Sequence, residues 1–337
     1  MVHTVPANKP YAYAVRWHSI NDVAFLAALL KHNIVVKTAN EPFEIDQKKF
    51  PAGSLIISQK GNAQIKLDQI MTELANNYQI SLTAVNTGFV TSGMDFGSDQ
   101  VKTLKSPKVI VAAGEGIVPY ALGGVWHYFE KQIQYPLTLV SGNKLTSVPW
   151  HEVDVLILPD GKYQDIFSDR LLNQLRDWVK NGGKVIAMEK ATSQFLNKPG
   201  FGLHKKHLDL DIKPKLLKKF GDVRRDEVND ATHGSMFRVE LDLTHPLAFG
   251  CGSNYYTLVG HSYQMGYLKS GWNVGYFGDD AYRAGFVGKN IKSQFKNTLI
   301  MGVEEIGDGQ VIYLMDNPLF RNILADGQLL FGNAVFR

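Results

Sequence analysis

The sequence predicts an α/β protein: a small N-terminal β-α-β-β-α-β domain followed by a larger, mostly parallel sheet with helices on both faces. Three observations carry this expectation. Residues 107–196 alternate short apolar runs with helical periodicity, the rhythm of strand–helix–strand units. The runs Val109-Ile110-Val111-Ala112-Ala113, Val155-Leu156-Ile157-Leu158 and Val185-Ile186-Ala187-Met188 show no polar alternation, as strands buried on both faces require. Each run ends in a turn or a charged pair: Gly114-Glu115-Gly116, Pro159-Asp160-Gly161 and Glu189-Lys190.

In chain order, residues 11–17 alternate and predict a strand. Ser19 with Asp22 three residues on is a capping box for a helix whose apolar face is Val23, Leu26 and Leu30. Ile34-Val35-Val36 and residues 53–57 read as strands, a helix carries Leu67, Ile70, Met71 and Leu74, and residues 80–85 close the first unit. Residues 86–107, rich in Gly, Ser, Thr and Asp, read as the connection, so we place domains at 1–100 and 101–337. Leu122, Val125, Trp126 and Phe129 mark one helix face. Leu171, Leu172, Leu175, Trp178 and Val179 mark another, stopped by Gly182-Gly183. A Lys-rich surface excursion follows at about 197–235. Residues 237–241 and 272–277 read as strands. Gly307-Asp308-Gly309 joins residues 299–306 to 310–314 as a hairpin, and residues 318–336 read as a closing helix.

Composition narrows the function classes. The 337 residues carry a formal charge of only +4 with no aromatic-interleaved basic stripe, which argues against a nucleic-acid partner. The single cysteine, Cys251, rules out an internal disulfide framework and a Cys-cluster zinc site. No apolar run approaches the ~20 residues of a membrane span. Residues 1–10 lack the charged and apolar regions of a signal peptide, so at face value the chain reads as cytoplasmic.

An ordered series of motifs carries a resemblance. It comprises residues 108–115 with Trp126-His127, then Asp154-Val155-Leu156-Ile157-Leu158-Pro159-Asp160-Gly161, residues 178–186, His245-Pro246-Leu247-Ala248-Phe249-Gly250 and Asp316-Asn317-Pro318-Leu319-Phe320-Arg321. Residues 17–30 and 50–57 fit the same setting. The series resembles the region that follows the catalytic domain in large bacterial zinc carboxypeptidase-like proteins, itself similar to a degenerate class I glutamine amidotransferase. The resemblance implies a flavodoxin-like, amidotransferase-like sheet and a non-catalytic accessory role beside a peptidase domain. It implies zinc only in that preceding domain, and peptide or cell-wall material as substrate. The parent family is often exported, periplasmic or secreted, which leaves the compartment open. An active amidotransferase of this type would carry a cysteine at the strand-to-helix elbow, where this chain has Glu189. Its late His would be followed closely by Glu, whereas His245 is followed by Pro246-Leu247.

Candidate site residues gather where parallel strands end, since ligands bind beyond their carboxyl ends. They are Gly114, Glu115, Gly116, Asp160, Gly161 and Glu189. Glu115 and Glu189 are expected to face one pocket, where two carboxylates would raise one pKa. The pair then serves as a general base, a cation site or the hydrogen-bonded relic of a lost site. A stand-alone hydrolase using Glu115 or Glu189 is the alternative function. A small-ligand module using the turn at Gly114–Gly116 is another, though Glu115 at its centre would repel an anion. His127-Tyr128-Phe129-Glu130 matches the short His-x-x-Glu zinc pattern, set against a solvent-facing i, i+3 pair. His204 and His207 read as solvated surface and His18 as a capping or packing residue. His261-Ser262-Tyr263, with Asn254, Tyr255 and Tyr256, reads as an interface.

Overall fold

The computed structural model describes residues 2–206, 219–232, 234–260 and 264–337. The first unit holds strands β1 (Ala12–Val15), β2 (Lys37–Ala39), β3 (Phe43–Ile45), β4 (Lys48–Phe50), β5 (Leu55–Ser58), β6 (Thr83–Val85) and β7 (Val101–Thr103), with helices α1 (Ile20–Lys31) and α2 (Leu67–Tyr78). Its main sheet runs β6-β1-β5-β2-β7 with every pairing antiparallel. β1 and β2 both flank β5, so they run the same way with one strand between them, the split β-α-β arrangement. The second strand begins at Lys37, after the apolar Ile34-Val35-Val36, of which Val35 is exposed.

Alternation along these strands feeds two cores. Tyr13, Val15, Leu55 and Ile57 face the helices, while Ala12, Ala14 and Ile56 face Phe43, Phe50 and Phe96. The second layer comes from the β3–β4 hairpin, which the strand pattern read from sequence does not include. Its turn is Asp46-Gln47, both at positive φ (50° and 59°), as a tight right-twisted hairpin demands. Phe43 stacks on Phe50 at 4.8 Å.

The larger sheet contains β8 (Val109–Ala113), β9 (Thr138–Ser141), β10 (Val155–Leu158), β11 (Lys184–Met188), β12 (Ser235–Leu241), β13 (Tyr255–Val259), β14 (Trp272–Phe277), β15 (Tyr282–Ala284), β16 (Thr298–Ile306) and β17 (Gly309–Leu314). Its path is β13-β12-β14-β16-β17-β11-β10-β8-β9, with β15 beside β12. β9, β8, β10, β11 and β17 are parallel neighbours; β16, β14, β12, β13 and β15 pair antiparallel. The sheet is therefore half parallel rather than mostly so. The β16–β17 hairpin is the hinge: a two-strand turn reverses direction, and every strand beyond it follows.

Helices α3 (Pro119–His127), α4 (Asp169–Lys180), α5 (Val223–Asn229), α6 (Lys289–Gln294) and α7 (Ala325–Phe336) complete the chain. In α3 the apolar face is shifted from expectation: Ala121 and Val125 are buried, Trp126 is 52% exposed, and the helix passes into a wider turn at Tyr128–Gln132. The closing helix begins later than residue 318, after a tight turn at Phe320–Asn322. α5, in the Lys-rich excursion, has no buried residue. His207 and His261-Ser262-Tyr263 lie outside the described residues.

The two sheets share one core. Residues 22–30 of α1 are all buried, well beyond the single face Val23, Leu26 and Leu30, because α1 packs against both α2 and α7. Trp17 Nε1 donates to Asn333 Oδ1 (2.8 Å), and Asn333 Nδ2 donates to the carbonyls of Leu247 and Phe249. Arg337 donates to Asn333 Oδ1, Thr38 Oγ1 and the Gly53 carbonyl, and lies 4.3 Å from the Trp17 ring.

Candidate functional site

Three parallel strands end side by side and deliver three acidic side chains to one edge. β10 delivers Asp160, β11 delivers Glu189 and β17 delivers Asp316. Glu189 is the first residue after β11 and sits at φ +48°. A side chain there costs of order 1 kcal/mol, a strain that folds retain mainly at functional positions. A run of tight 3₁₀ turns, Glu189–Phe195, follows the strand in place of an α-helix, and Thr192 Oγ1 holds it by donating to the Glu189 carbonyl (2.6 Å).

The acidic groups are unequally satisfied. Asp160 is buried and its Oδ1 accepts from the Lys190 backbone N–H (3.2 Å). Asp316 is buried, and its Oδ2 accepts from the Tyr255 hydroxyl (2.6 Å). Glu189 Oε2 is also buried without a partner. Burial raises the Glu189 carboxyl to about 7. The neighbouring Asp160 and Asp316 charges add to the rise, and Asn317 and Lys190 oppose it. Burial likewise raises Asp316 above the usual carboxylate range, against the hydrogen bond from Tyr255. At neutral pH Glu189 is thus divided between a proton donor and an anion.

A cavity of about 370 Å³ opens onto these groups, lined by Tyr120, Asp160, Glu189, Lys190, Asn317, Phe320 and Arg321, with Gly234, Leu258 and Gly260 opposite. The antiparallel strands therefore supply one wall and the parallel ends the other. A second chamber of about 760 Å³ shares Tyr120, Asn317, Phe320 and Arg321 and extends to His127 and Asn322. Arg321 and Asn322, on the shared rim, both have positive φ (47° and 60°).

The structure separates the expected residues. Glu189 and Asp160 meet in the cavity. Glu115 does not join them: it is exposed and lines neither chamber, and the carboxyl groups that act on Glu189 are those of Asp160 and Asp316. Gly114 and Gly116, both at positive φ, shape a turn clamped to the next loop. There Lys162 N donates to the Gly116 carbonyl, and a Cβ on Gly161 would come within 2.8 Å of that same oxygen. These glycines serve loop-to-loop packing, and the N-cap of α3 is Val118, past the turn. His127 and Glu130 are exposed and Glu130 pairs with Lys131 (3.0 Å), the arrangement of a solvated helix end. Among the described residues no group of three or more His, Cys, Asp or Glu is arranged to hold a metal. Ser19 caps α1; His18, just before it, lies with its ring 3.1 Å from Asp22, and Asp22 Oδ2 accepts from the His18 and Ser19 N–H groups. Cys251 is no elbow nucleophile. Its Sγ lies 3.9 Å from the Asp326 carbonyl, and burial with the nearby Asp326 charge pushes the thiol up to about 12.

Asp316, Asn317, Tyr120 and Arg321 escaped the candidate set. Asp316 and Asn317 had a readable signal: the first polar residues after a buried strand, at the carboxyl end where sites form. Tyr120 and Arg321 had none, since each reaches the cavity from a loop or helix start whose path depends on the tertiary fold.

No family model matches the chain, and no curated protein matches it. Several solved structures are similar in part. A ThuA-like protein from Bacteroides uniformis is 13% identical over 67% of this chain and 88% of its own, with a TM-score of 0.41. A GMP synthase subunit protein from Thermoplasma acidophilum is 11% identical over 68% of this chain and 92% of its own, with a TM-score of 0.43. The exo-β-1,4-mannosidase Op5Man5 from an Opitutaceae bacterium is 12% identical over 69% of this chain, with a TM-score of 0.38; the match spans only 36% of the mannosidase.

Proposed function

We propose that this chain is a non-catalytic accessory region of a zinc carboxypeptidase-like protein, with a binding pocket at the carboxyl edge of its parallel strands. The observation that carries the reading is Glu189. The elbow that would present a reactive sulfur presents instead a buried carboxyl at φ +48°, and the only thiol is packed elsewhere with its pKa raised. A carboxyl that is half protonated at neutral pH both donates and accepts, which suits holding a polar ligand. The five parallel strands, in the order 2-1-3-4-5, support a flavodoxin-like, degenerate amidotransferase-like sheet, with the pocket beyond the carboxyl ends of β10, β11 and β17. The motif series supports a peptidase domain as partner, with peptide or cell-wall material as the ligand.

The test is direct. The purified chain is assayed for zinc by metal analysis and for release of C-terminal residues from a peptide mixture. The reading expects no stoichiometric zinc and no release, and expects an added peptidase domain to bind the chain. Stoichiometric zinc or peptide cleavage by the chain alone overturns it. The raised Glu189 carboxyl favours one rival, a hydrolase using it as general acid or base. That rival requires an activity which Glu189→Gln abolishes while the melting temperature holds.

A further inference from the structure

At the opposite end of the larger sheet, two cavities of about 380 and 400 Å³ share Asn40, Pro246 and Arg337 as a common wall. They lie between the β2–β7 edge of the first sheet and the amino ends of β10, β11 and β17, far along the strands from Glu189. Their chemistry is opposite. The first chamber is lined by Lys102, Lys105 and Lys184, with Asp154 as its one acidic residue. Lys102 and Lys105 are exposed and, among the described residues, no ion pair holds either. Asp154 accepts from the Lys108 N–H (2.7 Å). Lys184 donates to the carbonyls of Val335 and Arg337.

The second chamber is lined by Asp242, Glu305, His245 and Trp272 over an apolar floor. Trp272 is 51% exposed, and its Nε1 donates to Glu305 Oε1 (3.3 Å), which fixes the indole plane and its open face. His245 sits 5.9 Å from the indole; its Nδ1 accepts from Leu247 N–H, leaving Nε2 to carry the proton. Burial lowers the His245 pKa, so the ring adds no positive charge at neutral pH. An open indole beside two carboxylates attracts an organic cation. Exposed, unpaired lysines attract a carboxylate or other anion. Arg337, between the chambers, already has its guanidinium committed to Asn333, Thr38 and Gly53.

We propose that this two-chambered groove binds an elongated zwitterion, its ammonium or guanidinium end on Trp272 between Asp242 and Glu305 and its anionic end at Lys102 and Lys105. The site is separate from the Glu189 pocket and does not rest on its function. Both ends of one molecule contribute, so the second contact forms at high effective concentration.

The experiment is calorimetric titration of the full chain with ε-aminocaproate, and with n-butylammonium and caproate as single-charge controls. The zwitterion is expected to bind at millimolar concentration or below, at least about tenfold more tightly than either control. Trp272→Ala, Glu305→Gln and the pair Lys102→Ala with Lys105→Ala are each expected to weaken it about tenfold. Trp272, Glu305 and both lysines are surface positions, and unchanged melting of the variants confirms an intact fold. Equal binding of a single-charge control, unchanged affinity in all the variants, or no binding of the zwitterion overturns the proposal.

Discussion

The two ends of the larger sheet treat polar groups in opposite ways. At the end where α1 and α7 join the two units, Asn333 meets Trp17 Nε1, Arg337 Nε and the Leu247 and Phe249 carbonyls, so its side-chain amide is fully used. At the carboxyl edge, Glu189 Oε2 is buried without a partner, and Glu189 holds a strained backbone. Burial costs little when every group is bonded and much when one is not. The contrast makes the first end the fully bonded junction of the two units and the second the edge with an unmet carboxyl oxygen, the feature on which the proposed binding pocket rests.

The largest expected effect lies at the satisfied end. Asn333→Leu strands the Trp17 N–H and two backbone carbonyls, and should lower stability by about 3 kcal/mol in urea unfolding. A loss below about 1 kcal/mol would mean that this junction does not hold the two units together.

The next effect is pH-dependent and belongs to Glu189. Its carboxyl rises from an ordinary 4.5 to about 7, so the folded state holds a proton that the unfolded chain releases between those values. Stability attributable to this group is therefore full below about pH 4.5 and falls as pH rises to about 7. Glu189→Gln should remove the fall, matching wild type in acid and exceeding it above neutral pH by roughly 1–3 kcal/mol. Unfolding curves of both proteins across that range check it; parallel curves would show that the edge is well solvated.

Lys184, at the satisfied end, runs the other way. Burial and the Arg337 charge lower it from 10.5 to about 7, so between those values the unfolded chain binds the extra proton and stability rises with pH. The difference between wild type and Lys184→Met should therefore grow in favour of wild type from about pH 7 upward, by roughly 1–2 kcal/mol. A difference that stays flat instead would place the amine in contact with water. The smallest effect is at Glu115: exposed and outside both chambers, it should tolerate Ala within about 0.5 kcal/mol and leave ligand binding at the carboxyl edge unchanged.

The sequence shows the elements better than their partners. The apolar runs of β8, β10 and β11, the capping box at Ser19 and the β16–β17 hairpin were legible because each depends on local periodicity or turn chemistry. The antiparallel half of the larger sheet was not, because no local signal states which strands pair across the β16–β17 turn. The β3–β4 hairpin hid behind Asp46-Gln47, which adopt positive φ without glycine. Tyr255 looked like part of an interface, yet it is a buried strand residue whose hydroxyl donates to Asp316. At the site, the strand-end rule put Asp160 and Glu189 in the candidate set, and both line one cavity because β10 and β11 are adjacent. Glu115 followed from the same rule and fails it: its loop turns outward between Gly114 and Gly116, a path set by packing against residues 160–162.

The central claim is that a buried carboxyl which titrates near neutral pH occupies the turn after β11. The most direct measurement is the carboxyl-carbon NMR titration of Glu189, assigned by its loss in Glu189→Gln. A midpoint near 7 is the predicted result; a midpoint in the ordinary glutamate range near 4.5 would contradict it.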